Sequence, residues 1–259
     1  MMPAPAQLSD AAIAQICFRL YADTPSADPY WDHLWPQDGG FAAHKRVGDV
    51  DIVVWRGSVT AKDWLLNFDT VPAFDGALGL VHAGFVRGVW PLQDAITMAL
   101  GAHVIVTGHS RGAAQATLFA GHLAAIGRAP VRLVTFGTPR PGYQQLADVL
   151  AAGKVAIASY KNLNDPVTDV PFAVDLIGTR CDLPYVHVAP FIQLAVQPDG
   201  GDVWGPVAPH HWQLYTRGLG NTPPPVPLPW WQKLRRVLAG LCGQRNPRQP
   251  NEGPLSEER

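Results

Sequence analysis

Short apolar runs rich in β-branched residues alternate along the chain with longer stretches of helical periodicity. The runs predict buried strands, whereas apolar side chains three or four residues apart, as at Ile13, Ile16 and Leu20, predict helices. Strands alternating with helices predict an α/β fold whose central sheet is mostly parallel and flanked by helices. The predicted strands are residues 41–47, 51–55, 104–107, 131–136 and 155–160, and the predicted helices are residues 9–22, 84–100 (interrupted at Pro91), 111–126 and 212–217.

The segments between these elements carry weaker signals. Residues 23–40 are rich in Pro, Asp and Gly and predict a loop. Residues 60–68 predict a short helix, and an apolar loop then continues to about Leu80.

The composition changes sharply at Pro223. We predict one α/β domain over residues 1–222, a Pro-rich linker over 223–229, a basic amphipathic helix over 230–242 and a disordered tail over 243–259. Residues 1–229 carry 14 basic and 18 acidic side chains, a net charge of −4, while residues 230–259 carry 6 and 3, a net charge of +3. A basic helix with tryptophans and leucines suits peripheral contact with a membrane surface; the alternative is a terminal helix packed on the domain.

Overall composition excludes several classes of protein. The 259 residues have a net charge of −1, without the basic excess expected of a nucleic-acid binder. Three scattered cysteines predict neither a disulfide framework nor a zinc site, and no pattern indicates another metal or cofactor. We see no apolar window of about 18 residues and no signal-peptide pattern, so we expect a cytoplasmic protein.

The strongest chemical signal is the motif Gly-His-Ser-Arg-Gly at residues 108–112, which lies between a predicted strand and a predicted helix. This is the G-x-S-x-G nucleophile elbow in the context that supports it. The tight turn exposes the serine, and the helix behind it favours negative charge that develops there. The motif predicts Ser110 as a nucleophile.

A nucleophilic serine needs a carboxylate that orients its catalytic histidine. The acid follows the serine in the chain order of α/β-hydrolases. Asp165 directly follows the strand at 155–160 and is the first candidate, with Asp169 second and Asp175 and Asp182 as further competitors.

The histidine is expected after the acid in the same chain order. His122 and His187 fall within predicted elements and are interpreted as packed structural residues. His210 and His211 remain, and their spacing alone does not choose between them.

The oxyanion of a tetrahedral intermediate needs amide donors, which we assign to Arg111 and to the loop of residues 56–58. We interpret the Arg111 side chain as a solvated helix residue; the alternative is contact with a phosphate or other polar head group. Apolar residues at 60–80, including Trp64, are consistent with a lid over an acyl pocket or with ordinary core.

Several motifs in order resemble the class 3 lipases, which have an α/β-hydrolase fold. They are V-V-W-R-G-S at 53–58, D-W-L at 63–65, V-H-A-G-F at 81–85, the elbow, T-F-G-T-P-R at 135–140, N-D-P-V-T-D-V-P at 164–171 and the histidine segment at 210–215. Arginine stands at position 111 where leucine is common, and His211 stands where a small residue is common. The signal peptide and disulfides of secreted fungal members are also absent from the pattern.

The resemblance implies hydrolysis of acyl esters, with lipids as the expected substrates, through an acyl-enzyme on Ser110. It favours Asp165 over Asp169 and His210 over His211, and it implies oxyanion donors at Ser58 and Arg111. It also suggests a short lid-like segment and substrate contacts from Trp64 and His109. Two alternatives stay open: a non-catalytic lipid- or membrane-binding module on the same fold, and an acyltransferase that uses the same triad.

Overall fold

The structure is a computed structural model that describes residues 8–21, 28–37, 40–57, 71–171, 185–198 and 205–220. Some predicted features lie outside these residues: the helix and lid at 60–68, the linker at 223–229, the basic helix at 230–242 and the tail at 243–259. They stay predictions, as do the domain boundaries. Within the described residues, no helix has the length and apolar character needed to cross a membrane.

The strands of the described chain divide into one large sheet and one hairpin. They are β1 (His33–Gln37), β2 (Gly40–Val47), β3 (Val50–Trp55), β4 (Pro72–Asp75), β5 (Gly79–His82), β6 (His103–His109), β7 (Arg132–Phe136), β8 (Ala156–Asn162) and β9 (Phe191–Leu194). The large sheet has the order β1-β2-β3-β6-β7-β8-β9, and β4 pairs with β5 separately. β1, β2 and β3 pair antiparallel, and each following pair is parallel. The predicted mostly parallel sheet is confirmed.

Helices cover both faces of this sheet. They are α1 (Asp10–Arg19), α2 (Ala83–Val86), α3 (Trp90–Ala99), α4 (Arg111–Ala125), α5 (Gln144–Ala152) and α6 (Trp212–Gly218), with short 3₁₀ helices at Pro166–Asp169 and Gly205–His210. Alternate residues of β3 point to opposite faces: Ile52 and Val54 join the core under α1 and α6, and Val53 and Trp55 join the core under α2 to α5. Every residue of β3 is buried, as expected of a central strand between two helical layers.

Local sequence signals explain where two of the helices begin. The hydroxyl oxygen of Ser9 accepts a hydrogen bond from the Ala12 amide at 3.2 Å and caps α1. The predicted helix at 84–100 is two helices, α2 and α3. Pro91 lies in the first turn of α3, where its missing N–H leaves no helical hydrogen bond unmade.

Other predictions for this part of the chain are wrong. β1 lies inside the predicted loop at 23–40, and the β4–β5 hairpin replaces part of the predicted apolar loop before Leu80. β1 contains Pro36 and pairs only with β2 among the described strands, so it has the composition of an edge strand. Helix α5 and strand β9 had no counterpart in the prediction.

The carboxyl ends of the parallel strands meet at one edge of the sheet. β3 ends at Trp55, β6 at His109, β7 at Phe136 and β8 at Asn162. The loops that follow these ends carry the predicted chemical residues, at the position where open α/β sheets place their sites.

Candidate active site

Ser110 occupies a strained turn between β6 and α4. Its backbone has φ 60° and ψ −134°, a region that residues other than glycine rarely adopt. Its amide donates to the Phe136 carbonyl at 2.9 Å, which ties the turn to the end of the neighbouring strand β7. The side chain is 1 % exposed. The predicted elbow therefore has the backbone geometry that its motif requires.

The two glycines of the motif are required by close backbone approach. A Cβ on Gly108 would collide with the Gly112 carbonyl, and a Cβ on Gly112 would collide with the Trp55 carbonyl at the end of β3. Glycine at both positions lets α4 start directly against the strand ends. The amide of Arg111, the first residue of α4, has no acceptor within the helix.

Asp165 and His210 form a buried pair after the end of β8. The Nδ1 atom of His210 donates to Oδ2 of Asp165 at 2.6 Å, and the residues are 2 % and 0 % exposed respectively. Because a carboxylate only accepts hydrogen bonds, this contact places the proton of a neutral imidazole on Nδ1 and the lone pair on Nε2. The pair therefore presents a base at Nε2.

The Asp165 carboxylate accepts three hydrogen bonds. Besides His210, Oδ2 accepts from the Tyr215 hydroxyl at 2.5 Å, and Oδ1 accepts from the Val167 amide at 2.9 Å. Burial, followed by the nearby Asp165 charge, raises the pKa of Tyr215 well above 10.0, so its hydroxyl keeps the proton that it donates. No Lys or Arg of the described residues forms an ion pair with Asp165. Within the described residues, no permanent cation therefore neutralises this carboxylate.

The reacting atoms of Ser110 and His210 are buried and unpaired. Neither Oγ of Ser110 nor Nε2 of His210 has a hydrogen-bond partner among the described residues. Proton transfer requires these two atoms to come within hydrogen-bond distance, and catalytic hydrogen bonds often tighten only when substrate binds.

His109 connects the elbow to the histidine loop. Its Nε2 atom donates to the His210 carbonyl at 2.9 Å, and its Nδ1 accepts from the Tyr21 hydroxyl at 2.9 Å. Tyr21 in turn accepts from the Gly57 amide at 2.9 Å. The His109 and His210 rings stack with centroids 4.6 Å apart. One chain of hydrogen bonds therefore runs from the loop after β3 to the backbone of His210.

The surroundings of His109 set its charge and its contacts. Burial, and then the neighbouring His210, lower the pKa of His109 well below 6.5, so the ring stays neutral. Both ring nitrogens are bound by protein groups and the side chain is buried. His109 therefore joins the elbow to the backbone of His210, and its contact with substrate stays a prediction.

The other candidates for the acid and the base have different surroundings from Asp165 and His210. Asp169 pairs with Lys161 at 3.1 Å and its side chain is 54 % exposed. His211 caps α6, accepting from the Gln213 amide at 3.4 Å. His187 bonds to the Thr168 carbonyl at 2.8 Å.

Of the remaining candidates, His122 lies on the far part of α4, and Asp175 and Asp182 lie outside the described residues. The structure thus brings Asp165 and His210, and neither of their neighbours, to the end of β8.

Only some of the residues predicted to bind the oxyanion or the substrate lie within the described part of the chain. The Arg111 amide lies at the start of α4, directly after Ser110. Ser58 and Trp64 lie outside the described residues. A Cβ on Gly57 would lie 2.9 Å from Cβ of Ser110, so the residue before Ser58 packs against the serine. Among the described residues there is no cluster of three or more His, Cys, Asp or Glu that could hold a metal ion.

Sequence reasoning gave no role to two tyrosines of the site. Tyr215 appears in the histidine segment as part of the family pattern, yet nothing in its spacing indicates a bond to Asp165. Tyr21 lies near the end of the first predicted helix, two residues after α1 ends, and its contact with His109 spans 88 positions of sequence. Such contacts depend on how the helices pack across the sheet.

Comparison with known proteins gives a consistent result. A profile of the family described as Lipase (class 3) matches residues 52–175. The chain is 27 % identical over 161 residues to a protein named secreted mono- and diacylglycerol lipase A of Penicillium cyclopium, covering 58 % of this chain and 50 % of that protein. It is 31 % identical over 144 residues to secreted mono- and diacylglycerol lipase 1 of Fusarium solani, covering 51 % and 43 %. The chain thus spans about half the length of these relatives.

The solved structures extend the likeness to the fold. A crystal structure of a mutant form of MDLA from Penicillium cyclopium superposes with a TM-score of 0.60 at 21 % identity, covering 74 % of this chain and 83 % of that chain. The architecture is that of an α/β-hydrolase. Residues 52–175 thus match the class 3 lipase family, and the sequence relatives and the fold agree with that match.

Proposed function

We propose that this protein hydrolyses carboxylic esters of lipids through an acyl-enzyme on Ser110. The observation that carries the proposal is the buried Asp165–His210 pair, whose base lone pair lies at the same strand edge as the strained serine. The family match and the names of the relatives, which are lipases of mono- and diacylglycerols, support acyl esters of glycerol as the substrate class.

The proposed reaction has two steps, acylation of Ser110 and hydrolysis of the acyl-enzyme. Nε2 of His210 takes the proton from the Ser110 hydroxyl while Oγ attacks the ester carbonyl and the carbonyl π electrons move to oxygen. The tetrahedral intermediate then collapses, the C–O bond to the alcohol breaks, and His210 gives its proton to the departing alkoxide. Water attacks the acyl-enzyme in the same way, so the fatty acid leaves and the serine recovers its proton.

The other residues hold charge during these steps. Asp165 stabilises the imidazolium form of His210 without taking its proton. The Arg111 amide, at the positive end of the α4 dipole, donates to the oxyanion, and the Ser58 amide is the second donor that the family pattern implies. Removing a single oxyanion donor costs about 100- to 1,000-fold in kcat in comparable sites.

The experiment measures release of fatty acid from tributyrin and from short-chain diacylglycerol by the full chain. We expect turnover by the wild-type protein and loss of it in Ser110→Ala. Ser159→Ala is the matched control, because Ser159 lies within β8 and bonds to Thr135 at 2.9 Å, so its loss leaves the chemistry in place. Equal activity in wild type and Ser110→Ala contradicts the proposal. Liposome binding without turnover of any ester would favour the non-catalytic alternative.

A further inference from the structure

Two arginines flank the nucleophile and neither has a carboxylate partner among the described residues. Arg111 follows Ser110, and Arg56 precedes Gly57, which packs against the serine. Some other arginines of the described chain pair with aspartates, as Arg19 does with Asp28 and Arg46 with Asp51. No aspartate of the described residues balances the two positive charges beside Ser110 in this way.

The backbone brings these two arginines together. A Cβ on Gly112 would lie 2.6 Å from the Arg56 carbonyl carbon, so the first turn of α4 lies directly against the strand end that carries Arg56. Both guanidinium groups lie close enough to the Tyr21 hydroxyl to affect its pKa. Burial has the largest effect and raises this pKa, whereas the charges of Arg56 and Arg111 lower it. That hydroxyl is bonded to the Gly57 amide.

Both side chains are also partly removed from water. Nε of Arg111 is buried and has no hydrogen-bond partner among the described residues. Burial, with the repulsion from Arg56, lowers the pKa of Arg111, and burial lowers that of Arg56. Arg56 lies over the Phe41 ring at 4.3 Å, which fixes its position without neutralising it. This result is contrary to the interpretation of Arg111 as a solvated helix residue.

Placing unpaired charge in a partly buried site costs free energy, and an anionic ligand removes that cost. Guanidinium groups bind phosphate oxygens through paired N–H donors, and a phosphate monoester carries about −1.5 to −2 charges at pH 7, which balances two cations. A carboxylate balances only one.

We propose that Arg111 and Arg56 form an anion subsite that binds a phosphate group on the alcohol half of the ester substrate. The preferred substrates are then acyl esters of glycerol phosphate. This inference rests on the proposed ester hydrolysis, since it names the leaving alcohol of that reaction.

The test compares dihexanoylglycerol 3-phosphate with neutral dihexanoylglycerol, both below their aggregation concentrations. We expect wild type to favour the phosphate ester in kcat/KM by at least about tenfold, because its phosphate accepts charge-assisted hydrogen bonds that the neutral ester cannot make. Arg111→Leu, which keeps the backbone amide at this position, lowers the ratio of kcat/KM for the phosphate ester to kcat/KM for the neutral ester about 10- to 100-fold. Arg111→Lys, which keeps the charge, gives an intermediate loss.

The control is Lys154→Leu, which removes one positive charge in the turn before β8, at the opposite edge of the sheet. It leaves the preference for the phosphate ester unchanged. A loss of the same factor on both substrates in Arg111→Leu assigns the guanidinium to folding or to the reaction and overturns the inference. No loss on either also overturns it.

A binding measurement tests the anion subsite even if the proposed hydrolysis fails. Calorimetry on full-length Ser110→Ala, with and without Arg111→Leu, compares the same two lipids in the absence of turnover. We expect the phosphate lipid to bind about tenfold or more tightly in the single variant and to lose this advantage in the double variant. Inorganic phosphate is the competitor: displacement of the lipid at equal concentrations of phosphate would indicate a site for the free anion and would contradict a lipid subsite.

Discussion

Two buried aspartate–histidine pairs lie at opposite edges of the sheet. Asp165 and His210 follow the carboxyl end of β8, with the two side chains 2.6 Å apart. Asp51 and His44 lie near the amino end of β3, 2.8 Å apart, and Asp51 is as fully buried as Asp165. Distance and burial alone therefore do not separate a catalytic pair from a structural one.

The difference lies in what else each carboxylate binds. Asp51 accepts two hydrogen bonds from Arg46, at 2.8 and 2.9 Å, and one from the Gly101 amide at 2.6 Å. Burial raises the pKa of Asp51, but these bonds and His44 outweigh it and lower the pKa to about 2. Asp51 is neutralised by a permanent cation, so it has little charge to offer its histidine.

Asp165 has the opposite surroundings. Its described partners are neutral donors and His210, and its histidine presents Nε2 at the strand end that carries Ser110. A buried carboxylate without a permanent cation gains most when its histidine becomes charged. The pair that we propose to be catalytic thus differs from the other pair in having no arginine on its carboxylate and a strained serine at the same strand ends.

The largest predicted effect is that of Asp165→Asn on catalysis. Asparagine offers an amide that favours the wrong tautomer of His210, so we expect kcat for ester hydrolysis to fall about 10⁴-fold. Steady-state kinetics on tributyrin measure it. The comparison fails if Asp165→Asn loses less than about tenfold.

Asp51→Asn should act on stability instead. It leaves Arg46 and the buried His44 without their carboxylate, and removing one partner of a buried pair costs about 3 kcal/mol in the free energy of unfolding. Urea unfolding measures the loss, and kcat below the melting range is expected to stay within about twofold of wild type. A large fall in kcat with unchanged stability would reverse the roles assigned to the two pairs.

Tyr215→Phe sharpens the account of Asp165. The variant removes the hydroxyl that donates to Oδ2 while keeping the ring in the core. A hydrogen bond to a charged group contributes about 1.5–3 kcal/mol, so we expect kcat to fall about 10- to 100-fold. Tyr143→Phe, a change in a tyrosine at the start of α5, is the control and should leave kcat unchanged.

The smallest effect concerns the pH dependence of stability. The pKa of folded His109 is well below 6.5, so below that pH the unfolded chain binds a proton that the folded chain does not. Stability from this residue is therefore present above pH 6.5 and is lost as pH falls, by about 1.4 kcal/mol per pH unit. His109→Gln should lack this part of the slope in urea unfolding between pH 6.5 and 5. Identical slopes in the two proteins would show that His109 is not held neutral.

The sequence predicted the central layers of the fold because their signals are local. Runs such as β3 and β6 are apolar throughout, and the elbow glycines are required by a collision that any chain with this turn would meet. β1 and β9 were not predicted because these segments form strands only through pairing with a neighbouring strand. Pro36 in β1 is acceptable only because the strand is at the edge.

The sequence predicted the chain order of the candidate site residues, but it did not predict the hydrogen bonds that hold them in place. Chain order limited the acid and the base to a few residues, and the family pattern favoured Asp165 and His210, which the structure brings together. The bonds of Tyr21 to His109 and of Tyr215 to Asp165 join helices α1 and α6 to the strand edge. No spacing along the chain encodes them, since they arise from packing across the sheet.

We propose that Ser110 is a nucleophile activated by the Asp165–His210 pair. The most direct measurement is intact mass and peptide mapping after reaction with a fluorophosphonate, which phosphonylates activated serines and releases fluoride. The account predicts one adduct, on Ser110, formed at nearly the wild-type rate in Asp51→Asn and at a greatly reduced rate in Asp165→Asn. An adduct on another serine, or equal labelling rates in the two aspartate variants, would contradict it.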